Sequence, residues 1–138
     1  MIKAKALKLR DTIGIVAPAG PTEAEKLEKA AAVLREMGFK VVLGKSCYEH
    51  WGYLAGRDEL RADDINRMFA SDEIDGIICM RGGYGALRIL DLIDYEMISK
   101  HPKVFMGYSD ITSLLIAITQ KSGLVTFHGP MLTSDFLS

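Results

Sequence analysis

Five short apolar runs, each followed by a break and most of them by a stretch of helical spacing, constrain this chain more than any other feature. Thr12-Ile13-Gly14-Ile15-Val16-Ala17 reads as a buried strand, and Pro18-Ala19-Gly20-Pro21 interrupts it. Thr22 and Glu25 match an S/T-x-x-E capping box, which predicts a helix from Glu23. Ala24, Leu27, Ala31, Leu34 and Met37 keep one helical face, and Gly38 is placed to end it. Phe39 to Leu43 is the second strand, and Lys45 to Arg57 is irregular. Asp58 is placed to cap a helix carrying Leu60, Ile65, Met68 and Phe69. Ile74 to Met80 is a third strand, followed by a predicted helix over Ala86 to Ile93 with Leu87, Leu90 and Ile93 on one face. A helical turn over Tyr95 to Lys100, a strand over Val104 to Tyr108, a helix over Ile111 to Gln120 and a strand over Leu124 to Phe127 complete the series. The tail HGPMLTSDFLS closes no element in this reading.

Continuous apolar strands alternating with helices imply an α/β fold, a doubly wound parallel sheet flanked by helices on both faces. In such sheets ligands bind beyond the carboxyl ends of the strands. Pro18–Pro21, Arg81–Gly85 and Tyr108–Asp110 all follow predicted strands, so they are expected to gather on one edge.

Composition narrows the function classes. The 138 residues fit one domain, with 49% hydrophobic and 25% charged residues and a formal net charge of −1. That balance argues against a nucleic-acid partner, and neither a polybasic segment nor a spanning apolar run points to a membrane. The start of the chain lacks the pattern of a signal peptide, so the cytoplasm is the expected compartment. Cys47 and Cys79 make no disulfide framework, and Cys79 in an apolar run reads as a buried free thiol.

Two turns could carry chemistry. In Arg81-Gly82-Gly83-Tyr84-Gly85, three glycines in four positions let the backbone approach a ligand closely. The helix predicted to follow offers free N–H groups to an anion or a developing oxyanion. Neither G-x-G-x-x-G nor a P-loop is present. The second turn is Gly107-Tyr108-Ser109-Asp110. A serine between strand and helix is the setting of a nucleophile elbow, although Ile111 departs from G-x-S-x-G. Ser109 and Asp110 are equally good helix caps, and spacing leaves cap and nucleophile level. A serine nucleophile needs a base. His50, His101 and His128 are the histidines available, and each reads as structural.

Taken together, IGIVAPAGP (13–21), GYLAGRDELRADDINRMF (52–69), IDGIICMRGGYGALRILDLID (74–94), PKVFMGYSDITSLL (102–115) and LVTFHGPM (124–131) resemble the N-terminal domain of the LD-carboxypeptidases. That serine peptidase family includes muramoyltetrapeptide carboxypeptidase and the microcin C self-immunity peptidase. The resemblance implies a class I glutamine amidotransferase-like domain over residues 1–138, with Ser109 as nucleophile. It implies an oxyanion hole from the backbone N–H groups of Gly83 and Asp110, and substrate contacts from Arg81, Gly82 and Tyr84. The Glu and His of the family's triad would lie in a C-terminal domain absent from this chain, leaving the 138 residues inactive alone. No metal or other cofactor is implied. The expected partner is a muropeptide that loses its terminal D-alanine during cytosolic peptidoglycan recycling. Self-association or homodimerisation through an exposed inter-domain surface is also expected. An immunity-type peptidase acting on a peptidyl-nucleotide and a non-catalytic anion-binding module are the competing readings. Arg57 stands where the family pattern leads one to expect a small or hydroxyl residue.

Overall fold

The computed structural model describes residues 1–136. Its strands are β1 (Thr12–Val16), β2 (Lys40–Leu43), β3 (Gly76–Cys79), β4 (Val104–Gly107) and β5 (Phe127–His128). They form one sheet in the order β2-β1-β3-β4-β5, with every pairing parallel. The helices are α1 (Ala24–Glu36), α2 (Asp58–Ala70), α3 (Tyr95–Lys100), α4 (Thr112–Ser122) and α5 (Leu132–Asp135), with 3₁₀ segments at Lys45–Tyr48, Ala86–Leu92 and Ser109–Ile111.

Strand periodicity builds the two faces. Ile13, Ile15 and Ala17, with Ile78 and Met80, pack against Leu27, Ala30 and Leu34 of α1 and Leu132 of α5. The alternate residues Val16, Ile77, Cys79 and Phe105 pack against α2, α3 and α4 through Ile65, Phe69, Ile98, Leu114 and Ile118. Phe69 and Phe105 stack with ring centroids 5.7 Å apart. The expected doubly wound sheet is therefore present. Strand order reverses between β1 and β3, so a crevice opens above their carboxyl ends, where such folds bind ligands. No helix among the described residues is long and apolar enough to cross a membrane.

Several local expectations are corrected. The Thr22/Glu25 capping box does not form. Helix α1 begins at Ala24, Glu23 holds the cap position without a side-chain cap bond, and Thr22 falls one residue outside it. Asp58 is likewise the first residue of α2 rather than its cap, and its carboxylate is engaged by Arg61 and Arg88. The segment after β3 is a 3₁₀ helix that buries Ala86 and Ile89 and exposes Leu87, because its tighter turn rotates the apolar face away from α-helical spacing. Leu124 lies outside β5 and bridges Ile2 instead. The tail does close an element: it forms α5, whose Thr133 N–H donates to the Met80 carbonyl at 2.9 Å, while residues 137–138 of that tail lie outside the described part.

Candidate active site

Three loops meet above the carboxyl ends of β1, β3 and β4, as the strand pattern predicts. Gly20 N–H donates to the Gly82 carbonyl at 3.1 Å, joining the Pro18–Pro21 turn to the glycine loop. Side chains are excluded from this junction. A Cβ at Gly20 would stand 2.8 Å from the Gly82 carbonyl oxygen, and one at Gly82 would stand 3.2 Å from Ser109 Oγ. Gly83 and Gly85 hold φ of +120° and +117°, a region that glycine enters without a side-chain penalty.

Ser109 enters the left-handed region without that freedom, at φ +61°. The extended Tyr108 carries the chain out of β4, and the backbone turns at once into Ser109–Ile111. The turn is packed from below, since a Cβ at Gly107 would stand 2.7 Å from a methyl of Ile111. Ile111, the departure from G-x-S-x-G, thus occupies space that the missing Gly107 side chain leaves. Ser109 Oγ makes no hydrogen bond to any described residue, and the 3₁₀ turn has no side-chain cap bond. The cap chemistry falls to Asp110 instead. Its carboxylate accepts from the N–H of Ala86 at 2.9 Å, at the start of the segment that follows the glycine loop. One residue of the pair therefore ties the two turns together, and the other is left with a free hydroxyl.

That hydroxyl lines a cavity of about 370 Å³ with Arg81, Gly82, Gly83, Tyr108, Thr22, Lys26, Met131, Thr133 and Ser134. Of the predicted site residues, Ser109, Gly83, Gly82 and Arg81 come together here. Asp110 lies one residue beyond the lining, its N–H in a first helical turn where no intrahelical acceptor exists. Gly83 N–H has no described backbone or side-chain acceptor. Arg81 spans the loops, donating from Nε to the Gly82 carbonyl at 3.3 Å and from Nη1 to the Pro21 carbonyl at 3.1 Å. Tyr84 stands apart from the lining, exposed and edge-on to Tyr53 with centroids 5.3 Å apart.

Among the described residues, no histidine lines the cavity. His128 is opposite Gly107 in the sheet register, but its exposed ring packs beside Tyr108 with centroids 5.8 Å apart. His101 is half-buried with its Nδ1 3.0 Å from the Met97 carbonyl, and His50 is exposed. Cys47 and Cys79 are buried free thiols, and burial pushes the Cys47 thiol up to about 12 and raises Cys79 as well, so neither is a nucleophile near neutrality.

The spacing argument missed Arg61. This side chain is fully buried and joins three loops, donating from Nε to Gly56 O at 3.1 Å and from Nη1 to Pro18 O at 2.6 Å and Gly85 O at 2.9 Å. Asp58 pairs with it, and Arg88 bonds the same carboxylate at 3.0 Å. Burial pushes the Arg61 guanidinium down from its ordinary value, and the Asp58 carboxylate opposes that shift. The available signal was positional: residue 61 shares a helical face with Ile65 and Met68. Thr22, Lys26 and the tail residues were also missed. The first turn of α1 necessarily opens onto the carboxyl edge, which places Lys26 there. Arg57, the departure in the irregular loop, covers the Trp51 ring at 4.9 Å.

The sequence pattern described as the LD-carboxypeptidase N-terminal domain matches residues 13–129. A probable murein peptide carboxypeptidase of Bacillus subtilis is 51% identical over 133 residues, covering 96% of this chain and 42% of that protein. The self-immunity protein MccF of Escherichia coli is 36% identical over 136 residues, 96% of this chain and 40% of its own length. Its structure with aspartyl sulfamoyl adenosine superposes with a TM-score of 0.94 at 33% identity, over 98% of this chain and 41% of that one. A muramoyltetrapeptide carboxypeptidase from Oxalobacter formigenes gives 0.83 at 33% identity, over 92% of this chain and 42% of that one. The chain thus spans about two fifths of the length of these relatives. With its sheet order, its glycine loop and its serine turn all in place, the chain belongs to the LD-carboxypeptidase family, as that family's N-terminal domain.

Proposed function

We propose that this domain supplies the nucleophile and the oxyanion site of a serine carboxypeptidase that cleaves an L,D amide and releases terminal D-alanine from a murein tetrapeptide. The observation that carries the reading is Ser109: a non-glycine residue at φ +61°, with an unbonded hydroxyl facing a cavity walled by the glycine loop. In the reaction, Ser109 Oγ bonds to the scissile carbonyl carbon and its proton passes to a histidine oriented by a glutamate, both in a second domain. The carbonyl π electrons move onto oxygen, and the N–H groups of Gly83 and Asp110 hold that oxyanion. Collapse expels the D-alanine amine, which takes the proton from histidine, and water then hydrolyses the acyl-serine by the same route in reverse. Murein peptide substrates are supported by the names of the Bacillus and Oxalobacter relatives, and a cytoplasmic recycling role fits that substrate. MccF, bound to an aspartyl sulfamoyl adenosine, supports the second reading, a peptidase acting on a peptidyl-nucleotide.

The test is release of D-alanine from muramoyl-tetrapeptide, followed by mass spectrometry. The 138-residue chain alone is expected to release almost none, because losing the triad base costs several orders of magnitude in rate. A full-length protein carrying this domain is expected to release D-alanine, and Ser109→Ala to abolish it. Release by the isolated chain that Ser109→Ala abolishes would contradict the two-domain assignment and point to His128 or His50 as base.

A further inference from the structure

The two charged side chains that line the Ser109 cavity are both cationic. They are Lys26 and Arg81; Thr22, Tyr108, Thr133 and Ser134 add hydroxyls, and the Asp135 carboxylate stands behind the wall, accepting from the Met131 N–H at 2.9 Å and the Tyr108 hydroxyl at 3.4 Å. Both cations have donors to spare. Arg81 uses Nε and Nη1 on loop carbonyls, which leaves its Nη2 without a partner among the described residues. The other cations of α1 are paired, Lys29 with Glu25 at 3.1 Å and Arg35 with Glu28 at 3.9 Å, while Lys26 has no ion pair among the described residues. A carboxypeptidase must read a free α-carboxylate one residue beyond the scissile carbonyl, within roughly 3.6 Å of extended chain. Arg81 adjoins Gly82, where a Cβ would stand 3.1 Å from Ser109 Cβ, and Lys26 joins them, so Ser109 Oγ and both cations line one cavity that a carbonyl on Ser109 and the residue beyond it would enter.

We propose that Lys26, with the free Nη2 of Arg81, binds the α-carboxylate of the residue that is released, and so restricts cleavage to the chain terminus. The assignment rests on the peptidase reading above. Arg81 is held by its two loop bonds and offers a fixed donor, whereas Lys26 reaches in from the first turn of α1 as a mobile point charge. Lys26 is thus a specificity residue that helix spacing alone reads as a solvated surface position.

The test is a nitrogen-15 NMR titration of the 138-residue chain with N-acetyl-L-lysyl-D-alanine and with its C-terminal amide. The free acid is expected to bind about tenfold more tightly than the amide, with the largest shifts at Gly82, Gly83 and Ser109. Lys26→Gln should erase most of that preference and Lys26→Arg restore it, while binding of the amide stays unchanged. Equal binding of acid and amide, or an unchanged preference in Lys26→Gln, would overturn the carboxylate assignment and leave the peptidase reading standing if Gly83 and Ser109 still shift. If neither ligand shifts those residues, the peptidase reading fails and this assignment fails with it.

Discussion

The glycine loop and the serine turn solve the same geometric problem with different residues. Each leads from a buried strand into a 3₁₀ turn, and each needs backbone in the left-handed region. The loop after β3 uses Gly83 and Gly85, for which that region is nearly free. The turn after β4 uses Ser109, for which it costs on the order of 1–2 kcal/mol. A glycine at 109 would relieve that cost, yet the position holds a hydroxyl that caps nothing. Arg10 shares that region at φ +76° in a surface turn, so what sets Ser109 apart is that its strained backbone holds an unbonded hydroxyl on the cavity.

The largest expected effect comes from removing the group that fixes the glycine loop. Arg61→Ala strips three loop carbonyls of their donor and leaves Asp58 with Arg88 alone, and is expected to cost about 3–5 kcal/mol in urea unfolding. A loss under about 1 kcal/mol would mean that the loop is held by its neighbours instead.

Next come the two turns, which should respond with opposite signs. Gly85→Ala forces a Cβ into Leu54 and Arg61 at φ +117°, and should destabilise by about 1–3 kcal/mol. Ser109→Gly should instead stabilise by up to about 1 kcal/mol while removing the hydroxyl, and Ser109→Ala should be near neutral. Urea midpoints measured side by side check the comparison, and a destabilising Ser109→Gly would break it.

The smallest effect is a pH dependence. Hydrogen bonding from Arg88, with the charges of Arg61 and Arg88, holds the Asp58 carboxyl below its ordinary value. A depressed folded value makes its contribution present above the ordinary carboxylate range and lost as pH falls through the folded value. Asp58→Asn should therefore flatten the acid side of the stability profile measured below about pH 4 and leave the neutral-to-alkaline slope unchanged.

Much of this arrangement is legible in the sequence, for identifiable reasons. Apolar runs such as Ile13–Val16 and Val104–Met106 declare a parallel sheet because both their faces are buried, and sheet topology alone then brings Gly20, Gly82 and Ser109 to one edge. Local spacing failed where tertiary contacts decide. Thr22 matches a capping box, yet the helix starts one residue late and Thr22 faces the cavity. Leu87 keeps α-helical spacing, yet a 3₁₀ segment turns it to solvent. Ser109 and Asp110 are interchangeable as helix caps on paper. Only the approach of the Ala86 N–H to Asp110 separates them, and that contact joins residues 24 positions apart. Arg61 eluded a reading that expects arginine outside, since its three carbonyl partners come from separate loops.

The most direct test of the central claim, that Ser109 is a nucleophile beside a preformed oxyanion site, is boron-11 NMR of the chain with a peptide boronic acid whose boron replaces the scissile carbonyl. The account predicts a tetrahedral boron signal from an Oγ–boron bond, absent in Ser109→Ala and weakened in Gly83→Ala, whose Cβ would stand 3.3 Å from the Gly20 backbone and shift the Gly83 N–H proposed as an oxyanion donor. A tetrahedral signal that persists in Ser109→Ala, or none with the unaltered chain at saturating ligand, would contradict it.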